Sequence, residues 1–285
     1  MQRNARNPLI LDGSMGMELE KRGFHCMLPL WTTWALLEAP DLVREIHRDY
    51  LQAGVDVLSS ATFRCSRYVL NKEGIVSRFA ELNRVAIQIA RDAVAEVRPE
   101  REITVAGAIS PLEDCYSPEL TPKDATLTKE HTIHAAMLAE AGADLLLVET
   151  QNSEREAIIA TQAALSTGLP VWTSLMPSSA TDMFNGDSLV ATARKILAMN
   201  VDALLLNCCT PAVAESAFAT LRQAFPDIRL GVYPNNLDGK ISPEQFAEWA
   251  LPMSDQAQIM GGCCGIGPAH IQALTVCIES SSSHD

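Results

Sequence analysis

Short apolar runs rich in β-branched and aliphatic residues alternate along the chain with longer stretches in which apolar positions recur at helical spacing. The runs fall at 8–12, 55–63, 103–110, 143–150, 170–177, 202–209, 228–235 and 258–265. The helical stretches follow them near 41–53, 77–97, 127–141, 153–166, 187–199, 211–224, 243–250 and 268–279. Runs such as Leu145-Leu146-Leu147-Val148 are apolar on successive residues, as expected of strands covered on both faces in a parallel sheet. Asp41, Thr128, Ser153, Asp187 and Ser242 can cap helix starts, Pro243 and Pro268 suit first turns, and Gly54, Gly142 and Gly168 suit helix ends. Ala53-Gly54-Val55-Asp56-Val57 and Ala141-Gly142-Ala143-Asp144-Leu145 close a helix and open a strand with nearly the same residues, which supports a repeated βα unit.

The pattern predicts an α/β protein, a single (β/α)8 TIM barrel over residues 1–279, with 280–285 as a frayed C-terminal tail. A doubly wound open sheet is the second architecture compatible with it. The length of 285 residues fits one barrel or two ordinary domains, and the lack of a Pro/Gly/Ser-rich linker favours one.

Composition narrows the partners. Hydrophobic residues at 47% and charged residues at 20% suit a folded core and argue against disorder. The net charge of −13 disfavours nucleic acid and acidic membrane surfaces, both polyanions, and favours a neutral or cationic small molecule. Residues 1–6 are polar and the apolar run after them is short, so neither a secretory signal nor a spanning helix is expected. A cytoplasmic protein follows, and a homo-oligomer is compatible with the sequence. Eight cysteines in a chain of this kind read as free thiols or metal ligands rather than a disulfide framework.

In a barrel the chemistry sits where the strands end. Those ends are polar here: Asp12-Gly13-Ser14, Thr62, Ser110, Glu149-Thr150, Ser174, Asn207-Cys208-Cys209, Asn235-Asn236 and Gly262-Cys263-Cys264-Gly265. The paired cysteines end strands six and eight, which a single strand separates in a closed ring. Cys208 or Cys209, with Cys263 and Cys264, can converge on a soft or borderline cation such as Zn2+. A lone pair would read as core, since free cysteine behaves as a small buried hydrophobe; two pairs at the mouth point to metal. Three thiolates leave a fourth position open for a substrate thiol.

Taken together, these motifs resemble the homocysteine S-methyltransferase family, whose members use betaine, S-methylmethionine or a cobalamin-linked donor. The resemblance rests on Leu11-Asp12-Gly13-Ser14-Met15-Gly16, Val148-Glu149-Thr150, Asn207-Cys208 and, most specifically, Gly261-Gly262-Cys263-Cys264-Gly265. It implies that Cys208, Cys263 and Cys264 hold zinc and activate the thiol of homocysteine, with Cys209 outside. It further implies that Glu149 holds the substrate ammonium, that Asp12 and Gly13 line the homocysteine pocket, and that Trp31 faces the methyl donor. The implied activity is transfer of a methyl group to homocysteine, giving methionine, with S-methylmethionine the preferred donor. At Phe63-Arg64-Cys65 the chain departs from the family, which often places tyrosine or glutamine near Arg64.

Other readings stay open at this point. A non-catalytic zinc-binding or redox-responsive barrel uses the same cysteines. A methylcobalamin carrier protein would be a separate partner, because no segment is left over for a cobalamin or folate module. Cys65 reads as a buried thiol. His131 and His134 share a helix face and read as packed or solvated rather than metal-binding, and Trp34 accompanies Trp31 in the loop after strand one.

Overall fold

The structure, a computed structural model, describes residues 7–281. Residues 1–6, on which the expectation of no secretory signal rests, and residues 282–285 of the expected tail lie outside the described residues.

Eight parallel strands form one sheet: β1 (Leu9–Ile10), β2 (Val57–Ser59), β3 (Thr104–Ile109), β4 (Leu145–Gln151), β5 (Val171–Leu175), β6 (Ala203–Asn207), β7 (Leu230–Tyr233) and β8 (Ile259–Met260). From β2 to β8 each strand pairs with the next in sequence, and β8 pairs with β1. The remaining gap closes where Leu11 bridges Val57, Asp56 N–H donates to the Ile10 carbonyl at 2.7 Å and Asp12 N–H donates to Val57 at 3.2 Å. The ring is therefore a closed (β/α)8 barrel, not a doubly wound open sheet. Leu11, Val57, Ala106, Leu145, Leu147, Trp172, Ala203, Leu205, Tyr233 and Ile259 form one buried cluster drawn from every strand or its immediate continuation, the filled barrel interior.

The helices are α1 (Met15–Lys21), α2 (Thr33–Glu38), α3 (Pro40–Gln52), α4 (Arg67–Lys72), α5 (Phe79–Val97), α6 (Asp124–Glu140), α7 (Glu154–Leu165), α8 (Leu189–Leu197), α9 (Pro211–Ala224), α10 (Pro243–Ser254) and α11 (Pro268–Ser281). The crossovers α3 and α5 to α11 match the expected stretches, and α11 includes Ser280 and Ser281 of the expected tail. Helices α1, α2 and α4 span six or seven residues each, too short for a clear helical period. They lie in the loops after β1 and β2. None of the described helices is long and apolar enough to cross a membrane.

The echoed segments share a function. Gly54 and Gly142 end helices at φ 97° and 94°. Asp56 and Asp144, next in line, accept the backbone N–H of Ile10 and Val105 at 2.7 and 2.8 Å. Asp202 and Gln258 do the same for Val171 and Leu230 at 2.8 and 2.9 Å. Each even-numbered strand thus opens by tying down the odd strand before it.

The capping expectations are corrected in part. Ser242 forms a full capping box with Gln245, but Ser188 rather than Asp187 caps α8, and Thr128 lies inside a helix that begins at Asp124. Asp41 lies within the first turn of α3, behind Pro40. Ser153 occupies the cap position of α7 without a side-chain hydrogen bond to the helix.

Candidate active site

Strand β6 ends in a kink. Cys208 adopts φ 56° and Thr150, at the end of β4, φ 58°, a left-handed conformation that side chains rarely take. Asn207 holds both in place. Its carbonyl oxygen accepts Thr150 N–H at 3.1 Å and the Ser174 hydroxyl at 2.7 Å, while its amide donates to Thr150 Oγ1 at 2.8 Å. The kink sends the two cysteines apart: Cys208 lines the cavity at the mouth, and Cys209 packs into the core beneath the helices. Burial pushes the Cys209 thiol up to about 12.

The pair after β8 behaves differently. Cys263 N–H donates to Pro234 O at 2.8 Å and Ile266 N–H returns to Cys263 O at 3.1 Å, closing a turn around the pair. Gly265 takes φ 82° in that turn, and a Cβ there would collide with the Asn236 carbonyl. Both Cys263 and Cys264 therefore line the cavity. The ligating sulfurs of Cys208, Cys263 and Cys264 all lie within 4.8 Å of one another, a group able to hold a metal ion.

The protons of this cluster are unevenly shared. Hydrogen bonds from the Cys263 thiol first, and then from Cys264, hold Cys208 well below the ordinary thiol range. The donors move the other way: bonding to Cys208 holds Cys263 well above that range and pushes Cys264 up to about 12. Of the three, Cys208 is the thiol that gives up its proton most readily. The Tyr116 hydroxyl lies 3.2 Å from its sulfur. Cys115 packs beside it with Met176.

The cysteines border a cavity of about 260 Å3 that also takes in Asp12, Gly13, Trp31, Arg64 and Glu149. Asp12 bridges β1 and β2, accepting Ser59 N–H and the Ser59 hydroxyl, each at 2.8 Å. Burial outweighs those bonds and raises Asp12 to about 7. Glu149, midway along the mouth end of β4, is raised to about 8, first by burial and then by Asp12 and Cys208; the Tyr233 hydroxyl donates to it at 3.4 Å. Two proton-holding carboxyls facing one cavity favour a cationic occupant that would let them ionise. Trp31 enters from the loop after β1, and its indole packs so closely over Gly16 that a Cβ there would collide with the ring.

Trp34, His131, His134 and Cys65, also singled out in the sequence, do not line the cavity. Trp34 packs against the core from α2. His131 and His134 are buried, bonded at 3.0 Å to Glu156 and Asn83 respectively, and burial lowers His134 to about 3. Cys65 is a buried thiol, 3.2 Å from the Thr33 hydroxyl. Tyr233 and Tyr116 are the site residues the sequence reading missed. Tyr233 was accessible to it, because inward positions alternate along β7; Tyr116 lies in an irregular loop with no period to mark it.

Comparison with known proteins agrees with this geometry. The family profile described as homocysteine S-methyltransferase matches residues 9–278. The chain is 28% identical to homocysteine S-methyltransferase 3 of Zea mays, over 93% of this chain and 88% of that protein. It is 27% identical to selenocysteine Se-methyltransferase of Brassica oleracea var. italica, over 93% and 87%. The metallated form of the homocysteine methyltransferase MmuM from Escherichia coli superposes with a TM-score of 0.84 at 27% identity, covering 95% of this chain and 96% of that one. A closed barrel with three converging cysteines at its mouth, matched by that profile over nearly its whole length, belongs to the homocysteine S-methyltransferase family.

Proposed function

We propose that this chain is a zinc-dependent S-methyltransferase that moves a methyl group from a sulfonium donor, S-methylmethionine foremost, to homocysteine and releases methionine. The observation that carries the reading is the convergence of three cysteine sulfurs beside a cavity lined by two acids. Sulfurs bound tetrahedrally at about 2.3 Å lie about 3.8 Å apart, which a cluster confined to 4.8 Å accommodates. Cys208, Cys263 and Cys264 would hold the ion, and a bound zinc supplies the lowered thiol pKa that makes a substrate sulfur nucleophilic near neutral pH.

The chain's own groups supply the rest. Glu149 meets the homocysteine ammonium, and its proton leaves as that cation arrives. Asp12 and Gly13 shape the same pocket. Trp31 offers a ring face to the donor cation. In the transfer, the donor C–S bond breaks with its electron pair kept by the donor sulfur, and a new C–S bond forms on the homocysteine sulfur. The sulfonium and the thiolate lose their charges together, so a cavity holding little water favours the step. All eight cysteines are free, which suits the cytosol, where thiols stay reduced.

A panel of donors against homocysteine and its selenol analogue, run on zinc-loaded protein, tests the proposal. Methionine formed from S-methylmethionine supports it. Activity confined to a methylcobalamin-loaded partner, or none with any pair, refutes it.

A further inference from the structure

Arg64 is 4% exposed, yet no carboxylate pairs with it among the described residues. Its Nε donates to the Pro29 carbonyl at 2.9 Å and its Nη1 to the Glu113 carbonyl at 2.8 Å. The Glu113 carboxylate is engaged elsewhere, with Lys72 at 2.5 Å and the Tyr68 hydroxyl at 2.6 Å. Nη2 has no hydrogen-bond partner among the described residues, and Arg64 is the one cation among the residues lining the cavity. A buried guanidinium with no carboxylate in direct contact is costly to maintain, and its planar fork matches one.

Different groups surround Glu149 and Arg64, which line the same cavity. Glu149 shares its surroundings with Asp12, Cys208 and Tyr233. The acidic neighbours of Arg64 are Asp114, Glu113 and Glu156, and the Cys115 thiol lies beside it. Its two carbonyl partners lie in the loops that carry Trp31 and Tyr116. Asp114 lines the same part of the cavity. On the transferase reading, an acceptor with its sulfur at the cysteines and its ammonium at Glu149 leaves Arg64 without a carboxylate partner. A second ligand entering between the two loops meets Arg64 and Asp114, one group of each sign.

We infer that Arg64 binds the carboxylate of the methyl donor, which makes it the residue by which this chain recognises a donor bearing a free carboxylate. This rests on the transferase reading above and adds to it a determinant of donor class.

The test compares S-methylmethionine with its carboxyl methyl ester on zinc-loaded wild type, Arg64→Gln and Arg64→Lys. Steady-state kinetics are paired with calorimetric binding of each compound in the absence of homocysteine. Wild type should favour the free acid by about 10- to 100-fold in both readouts, the range of a charge-assisted hydrogen bond. Arg64→Gln should erase the preference while the homocysteine KM moves less than about twofold, and Arg64→Lys should keep an intermediate preference. Equal use of acid and ester by wild type, or a homocysteine KM that rises in place of the donor's, overturns the inference. Absence of turnover, with acid-over-ester binding still dependent on Arg64, would overturn the transferase reading and with it the donor assignment, leaving Arg64 as a carboxylate-binding residue of the cavity.

Discussion

The two cysteine pairs at the barrel mouth have the same composition and different fates. At the end of β6 the left-handed kink at Cys208 breaks the alternation of the strand, so Cys208 faces the cavity and Cys209 the core. After β8 the chain has left the sheet, and a turn through Gly265 turns Cys263 and Cys264 the same way. Three of the four sulfurs in the two pairs therefore come together, and on the proposed zinc reading a fourth coordination position is left for substrate. A kink at a strand end turns in one sulfur, and a turn beyond the sheet turns in two.

Substitution sharpens this contrast most strongly at the ligands. Cys208→Ala, Cys263→Ala and Cys264→Ala are each expected to lose bound zinc and to lower turnover by more than about 100-fold, measured by elemental analysis and methionine formation. Cys209→Ala should keep its zinc despite its adjacency to a ligand, with a stability loss of about 1–2 kcal/mol from the vacated core volume. Equal metal loss in Cys208→Ala and Cys209→Ala would erase the distinction that the kink draws between the two neighbours.

Glu149 is next in expected effect. Glu149→Gln should raise the homocysteine KM by about 10- to 100-fold, the worth of a charged hydrogen bond, and leave zinc content intact. Loss of zinc would assign it to the metal instead. Trp31→Ala should raise the donor KM by about 3- to 30-fold, in line with a cation resting on an indole face, with a smaller change for homocysteine.

The smallest expected effect is on stability. Asp12 and Glu149 have folded-state values near 7 and 8 against 3.8 and 4.5 for the free groups. The unfolded chain ionises first, so their contribution is fully present below about pH 4 and is lost as pH rises through 7 and 8. In metal-free protein, Glu149→Gln should remove part of that slope and leave the variant about 1–3 kcal/mol more stable than wild type at pH 8. Denaturant melts at pH 5 and pH 8 read this directly, and an unchanged slope would show that Glu149 is ionised in the folded chain.

The parts of the protein readable in the sequence are those with a period. The eight βα units follow from apolar runs, and the inward position of Glu149 from the run Leu145–Val148 ahead of it. The strands prove shorter than the runs, as with Val57–Ser59 inside 55–63, because residues beyond the last paired position turn away to build the mouth. What had no period was hidden: the short helices α1, α2 and α4, the approach of Tyr116 to Cys208, and the loop carbonyls that leave Arg64 facing the cavity. The Asp12 bridge to Ser59 was equally invisible, since it joins residues 47 positions apart.

Zinc K-edge absorption spectroscopy of the zinc-loaded protein, before and after adding homocysteine, tests the three-sulfur centre most directly. The predicted result is three sulfur neighbours at about 2.3 Å with one oxygen or nitrogen, becoming four sulfurs once the substrate is added. A first shell with fewer than three sulfurs, or one that homocysteine leaves unchanged, would contradict the assignment of Cys208, Cys263 and Cys264 as a centre open to the substrate thiol.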